Sequence, residues 1–174
     1  MVALDDDGTA ALALDRGWAV RTRDKLALTP AGRAEADARF RVPDSDAARA
    51  RLTEVKGPFD QLNHRFLRLC HDWQVRAGNV VNDHRDTEYD WSVIDRLVTF
   101  DSEASHLLRN LGASLERLVP YRDRLRAARR RVVDGEPEWF ASPRIDSYHT
   151  VWMQLHEDLL LALGLERGKE PTDA

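Results

Sequence analysis

The chain has 174 residues, of which 43% are hydrophobic and 32% charged, with a formal net charge of -4. That balance suits a helix-rich globular protein with one real core and argues against a generic polyanion binder, although a local basic patch can oppose the average. The single cysteine, Cys70, excludes an intramolecular disulfide and fits a reducing compartment; with no run near the roughly 20 apolar residues of a membrane span and an acidic MVALDDDG start, a cytoplasmic protein with no membrane partner is expected.

Gly8 to Trp18 reads as a short Ala/Leu helix ended by Gly17. Two β-prone pieces, Ala19–Arg23 and Lys25–Leu28, flank Asp24 and predict a small hairpin. Thr29-Pro30 supplies an N-cap and a proline at the first position of the next helix, which Pro43-Asp44-Ser45 breaks. Ser45 is expected to cap a further helix to about Lys56, where Gly57-Pro58 interrupts the chain. Beyond it, Phe59, Leu62, Phe66, Leu69/Cys70 and Trp73 recur at helical spacing to about Arg76.

The polar stretch Ala77–Thr87 reads as a loop. Thr87 or Asp90 caps the longest predicted helix, whose stripe is read as Trp91, Ile94, Val98, Ser105, Leu108, Leu111/Gly112, Leu115 and Leu118, with Pro120 ending it. Tyr121, Leu125, Ala128 and Val132 mark another helix, stopped at Asp134-Gly135. After the connector EPEWFASP comes a final helix with Ile145, Tyr148, Trp152, Leu155, Leu159 and Leu163 on one face. The expected fold is mainly α: an antiparallel helical bundle over residues 43–168, a small αββ segment over 1–42, and a disordered tail over 169–174.

The run GWAVRTRDKLALTPAGR, Gly17 to Arg33, resembles the tail of a winged-helix domain, with a basic β-hairpin wing followed by the "LTPAGR" start of the next helix. The resemblance implies that Arg21, Arg23 and Lys25 would meet nucleic-acid phosphates. A helix-turn-helix needs two helices ahead of the recognition helix and only about ten residues precede it here, which weighs against DNA binding by this chain alone. Downstream, LCHDWQVR (Leu69–Arg76), Asn82-Asp83-His84 with DTEYDWSVIDRL (Asp86–Leu97), and PRIDSYHTVWMQLHEDLLLALGLER (Pro143–Arg167) are similar to the helical domain that follows the winged helix in certain actinobacterial, MarR-like regulators. Some proteins of that kind are fused or related to phosphoenolpyruvate-utilising, pyruvate-phosphate-dikinase-like enzymes. The resemblance therefore implies a regulator, or an accessory domain of such an enzyme.

The final helix carries His149, Trp152 and His156 beside Tyr148, and burying imidazole or indole N–H groups costs free energy unless each finds a partner. A second polar cluster, Asp72, Trp73, Asn82, Asp83 and His84, lies between the two preceding helices. One account has Asp72, Trp73, Asn82, His84, Trp91, Tyr148, His149, Trp152 and His156 converge on an interior cavity that binds a small molecule. The other has each histidine satisfied within the structure and the Asn and Asp residues capping loops. If the cavity were catalytic, His84, His149, His156 and Asp83 are the acid/base candidates.

No HxxxH pair stands on a helix, so neither a metal nor another cofactor is expected. Cys70 sits on the apolar stripe as a small hydrophobe rather than a nucleophile. Six arginines between Tyr121 and Val133 read as a solvated, salt-bridged helix. Ser102, Ala104, Ser105, Gly112 and Ala113 on the long helix motivate a homodimer. The reading that gathers these expectations is a ligand-sensing regulator; a small cofactor-independent enzyme is its rival.

Overall fold

The computed structural model describes residues 7–22 and 25–165; Arg23, Asp24 and the proposed tail over 169–174 lie outside the described residues, as does the side chain of Lys25. The protein is mainly helical. In chain order the elements are α1 (Asp7–Asp15), β1 (Ala19–Thr22), β2 (Lys25–Leu28), α2 (Pro30–Phe40), α3 (Ala47–Gln74), β3 (Val75–Arg76), β4 (Val80–Val81), α4 (Thr87–Ser114), α5 (Val119–Val133), α6 (Glu138–Ala141) and α7 (Tyr148–Leu163). No described helix is long and apolar enough to cross a membrane.

The N-terminal segment is stitched by short-range chemistry. Gly17 takes φ +67° at the end of α1, so its N–H reaches Leu14 O and the Trp18 N–H reaches Ala13 O, a Schellman closure that few other residues permit. β1 and β2 pair antiparallel with Ala19 opposite Leu28. Thr29 does three jobs: its N–H bonds Trp18 O, its hydroxyl donates to Gly17 O, and the same oxygen caps α2 by accepting from Gly32 N. Gly32 is buried against the Trp18 carbonyl, and a Cβ there would lie 1.8 Å from Trp18 O. The boundary expected after residue 42 runs through a core position, because Val42 is buried and its N–H bonds Ala162 O in α7.

Helices α3, α4, α5 and α7 form the bundle, and pair contacts give its direction. Across α3 and α4, Asp72 meets Arg96 while Arg65 meets Glu103. Asp101 of α4 meets Arg129 of α5 while Gly112 approaches Val119, and between α5 and α7 Tyr121 meets Asp158 while Arg124 meets Gln154. Between α3 and α7, Arg49 reaches Leu163 O, Asn63 meets Trp152, and Phe66 packs on Tyr148. In each pair the sequence number rises on one helix as it falls on the other, so every neighbour is antiparallel, as the short connections require.

The core is aromatic at its centre. The Phe59 and Trp152 rings stack at 5.2 Å, and Phe66 lies 5.3 Å from both Phe100 and Trp152. Around them Leu52, Leu97, Leu111, Leu125, Leu155 and Leu159 are buried. Burying each large apolar side chain contributes about 1.5–3 kcal/mol.

Several local expectations are corrected. α3 does not break at Gly57-Pro58: Leu52 and Phe59, two turns apart on one face, are both fully buried and hold the segments on either side in a single helix. Pro58 is exposed, and the Glu54 carbonyl that it cannot serve belongs to an exposed residue within reach of water. Asp46, not Ser45, caps α3, through Ala48 N at 2.8 Å. Asp86, not Thr87 or Asp90, caps α4, through Tyr89 N. Pro120 does not terminate a helix but sits in the first turn of α5, where a missing N–H costs nothing.

The stretch read as a loop contains the small β3–β4 hairpin, whose turn uses Gly78 and Asn79 at φ 78° and 60°. The stripe of α4 is also rotated from its expected position. It runs through Val93, Ile94, Leu97, Phe100, Ala104, Leu107, Leu108 and Leu111, leaving Trp91 46% exposed and Val98 exposed beside it. Anchoring the periodicity on the tryptophan displaced the predicted face by about one residue.

Candidate functional site

The residues expected to share one cavity occupy two places. Tyr148, His149, Trp152 and His156 follow α7 into the aromatic centre. Trp152 is fully buried, its Nε1–H donates to Asn63 Oδ1 at 3.0 Å, and Phe59, Phe66 and Phe100 surround its ring. The Tyr148 hydroxyl donates to Asp101 Oδ1 at 3.1 Å. Burial, and then the neighbouring Asp101 charge, push that hydroxyl well above its ordinary pKa of 10.0. His156 lies against Phe59, and the half-buried His149 ring is 6.2 Å from that of Phe66. Tyr148, His149, Trp152 and His156 line neither of the two surface concavities described below. The indole of Trp152 and the hydroxyl of Tyr148 spend their polarity inside the core.

The second place is the corner where α3 passes through the β3–β4 hairpin into α4. Asn82 is buried, and its side-chain N–H groups donate to Trp73 O at 3.0 Å and Asp90 Oδ1 at 2.8 Å. His84 Nδ1 lies 3.0 Å from Asp90 Oδ2. Because Asn82 already supplies the hydrogens on the other carboxylate oxygen, the satisfied arrangement has His84 Nδ1–H donating to Asp90, which leaves Nε2 as an acceptor in the neutral ring. The backbone of His84 takes φ +57°, a left-handed conformation uncommon for a non-glycine residue, although His, like Asn and Asp, adopts it more readily than most. Its N–H bonds Asn82 Oδ1, and its ring packs 4.5 Å from Trp73. Trp73 in turn stacks on Phe140 of α6 at 4.4 Å, with the planes 4° apart.

An open groove of about 360 Å³ lies over this corner, lined by Trp73, Gln74, His84, Pro137, Glu138, Ala141 and Ser142. It joins two of the expected ligand residues, Trp73 and His84, to the α6 connector, and Asn82 supports it from below. Two others, Asp72 and Trp91, and the acid/base candidate Asp83 fall elsewhere. Asp72 is engaged with Arg96, and its carbonyl accepts from Tyr89 OH. Asp83 is exposed, facing Arg85 at 3.6 Å. Trp91 points to the surface. Nearby, the backbone N–H of Tyr89 and then the Arg76 guanidinium hold the Asp86 carboxyl below its ordinary value.

Sequence reasoning treated Asp90 as a helix cap, and its spacing from His84 across a loop–helix junction was the one signal of a dyad. The contributions of Glu138, Pro137 and Ser142 depend on how α6 docks, through Phe140 on Trp73, which no local pattern encodes. Phe140 is buried in that stack on Trp73.

A second open concavity, of about 460 Å³, lies between α4 and α5 and is lined by Val98, Asp101, Ser102, Ser105, His106, Arg109 and Arg129. The arginines of α5 are largely salt-bridged: Arg124 to Asp146, Arg129 to Asp101, and Arg131 to Glu136. Arg21 is exposed on the hairpin. Two of the small residues proposed for a dimer seam are used within the chain. Ala104 is buried in the core, and a Cβ on Gly112 would meet Val119 Cγ2 at 3.1 Å.

Burial raises the Cys70 thiol from 9.0 to about 12, which makes it a poor nucleophile. Among the described residues no group of three or more His, Cys, Asp or Glu side chains could hold a metal ion. Compared with models of protein families, with curated proteins and with solved structures, the chain matches none of them.

Proposed function

We propose that the chain is a cytoplasmic ligand-sensing domain, related to winged-helix regulators, whose effector is read in the groove over Trp73 and His84. His84 carries this reading. It is held in a left-handed backbone conformation, oriented by Asp90 and the buried Asn82, and placed at the groove with Nε2 left to accept a hydrogen bond. Strained backbone at a non-glycine residue persists only where the surroundings over-determine it, and such residues cluster at ligand-reading positions. An effector there would touch both the α3–α4 corner and the α6 connector. It would favour one docking of α6 on Trp73 over another and so shift the bundle's population. The hairpin with exposed Arg21 between α1 and the Thr29-capped α2 supports the kinship to winged-helix proteins.

The test is a thermal-shift screen of small carboxylates and aromatic metabolites on the native chain and on His84→Ala. A ligand that stabilises the first and loses at least about tenfold in affinity for the second supports the assignment. Ligands bound equally by both remove it. The Asp90–His84 pair also favours a second reading, a small enzyme in which Nε2 acts as general base or acid. Turnover of any bound metabolite, abolished by His84→Ala in a chain that stays folded, would choose the enzyme over the sensor.

A further inference from the structure

We propose that the concavity between α4 and α5 binds a small phosphate-type oxyanion, held by Arg109 with Ser102, Ser105 and His106, at a site separate from the groove over Trp73. The electrostatics of the lining argue for this. Its one carboxylate, Asp101, is committed on both oxygens: Oδ1 accepts from the buried Tyr148 hydroxyl and Oδ2 lies 3.0 Å from Arg129 Nε. Arg129 and Asp101 therefore cancel, and the charge left in the concavity is that of Arg109.

The tethers of Arg109 include no carboxylate. Its Nη1 donates to Ser105 Oγ at 3.2 Å and its Nη2 lies 3.4 Å from His106 Nδ1. Among the described residues it has no ion-pair partner, although acidic residues outnumber basic ones in this chain. Arg129, the other arginine of the concavity, faces a carboxylate, as do Arg65, Arg96 and Arg124 elsewhere on the bundle. A guanidinium held in place with no carboxylate has lost side-chain freedom without gaining a counter-charge. An oxyanion would supply that charge through a paired N–H fork. Ser102 and Ser105, one helical turn apart on α4, add hydroxyl donors, and the carbonyl-rich or acidic lining that would suit a cation is missing.

The direct link from Asp101 to Tyr148 connects this site to the core. An anion that competes with Asp101 for Arg129 would reach the hydrogen bond that orients Tyr148.

The experiment is a ¹H–¹⁵N NMR titration of the intact chain with inorganic phosphate, at constant ionic strength set by sodium chloride, repeated with acetate and with Arg109→Gln. The expected result is saturable shifts of Ser102, Ser105, Arg109 and the Arg109 and Arg129 Nε–H signals, with weaker binding of acetate. Arg109→Gln, at an exposed position whose loss does not threaten folding, is expected to weaken phosphate binding at least about tenfold. Equal saturation by acetate would reassign the site to carboxylates and overturn the phosphate class. Shifts no larger than those given by chloride, or unchanged in Arg109→Gln, would overturn the site itself.

Discussion

The hydrogen bond between Trp152 and Asn63 explains why an indole and a carboxamide stand in an otherwise apolar interior, and its worth can be measured. Both residues are buried, and the 3.0 Å bond joins α7 to α3. Asn63→Ala leaves the indole N–H with no acceptor, which costs about 1–3 kcal/mol. Trp152→Phe keeps the ring stack on Phe59 but strands the Asn63 carboxamide, at a similar cost plus a void. The double variant removes both polar groups together, so its cost should fall short of the summed single costs by about 1–2 kcal/mol. Urea denaturation followed by far-ultraviolet circular dichroism gives all four corners of the cycle. A 2 kcal/mol loss in Asn63→Ala corresponds to a Tm drop of roughly 4–8 °C for a domain of this size. Additivity within about 0.5 kcal/mol would mean that the two groups do not interact, and the account of the polar core would fail.

Gly32→Ala forces a methyl to 1.8 Å from the Trp18 carbonyl, so the hairpin must move off α2. Amide exchange across β1 and β2 should accelerate at least about tenfold while the bundle keeps its protection, and unchanged exchange would refute the close approach. Pro58→Ala restores an N–H for the Glu54 carbonyl in mid-α3 and should raise stability by about 1–3 kcal/mol in the same urea assay, whereas a loss would show that α3 is bent there for a reason. The buried Cys70 thiol keeps its proton in the folded chain to about pH 12, against 9.0 for the free group. Between those values unfolding releases a proton, so stability is fully present below pH 9.0 and falls as pH rises, by at most about 1.4 kcal/mol per unit from this group. Cys70→Ala should flatten the slope of unfolding free energy just above pH 9.0, and identical slopes would show that the thiol is not shielded.

The fold was legible because its signals are local and redundant. Thr29-Pro30, Gly17 and the stripes of α3 and α7 each follow from the spacing of a few residues and the chemistry of a cap. The errors came where two local rules competed with packing. Gly57-Pro58 is a strong breaker in isolation, yet Leu52 and Phe59 lock both sides of it into one buried face. Trp91 is the bulkiest apolar residue near the start of α4, yet Ile94 and Leu97 set the face that meets α3 and α5. The hairpin Val75–Val81 escaped because two-residue strands carry no period, only the Gly78-Asn79 turn.

The candidate site was half legible for a different reason. A polar residue at helical spacing says that something must satisfy it, but not whether that partner is a ligand or the protein itself. On α7 the partners are Asn63 and Asp101, which lie on α3 and α4 and are ordinary surface-type residues in the sequence. At His84 the answer is divided: Asp90 and Asn82 satisfy Nδ1 and the backbone N–H, while the groove faces the ring. The contrast between Trp152 or Tyr148 and His84 is therefore one of remaining valence. A buried polar group whose bonds are all met inside the protein fixes the register of two helices, and one held by part of its bonding capacity beside open space can report on a ligand. Trp152 and Tyr148 are of the first kind, whereas His84 and Arg109 each line an open concavity, one at the α3–α4 corner and the other between α4 and α5.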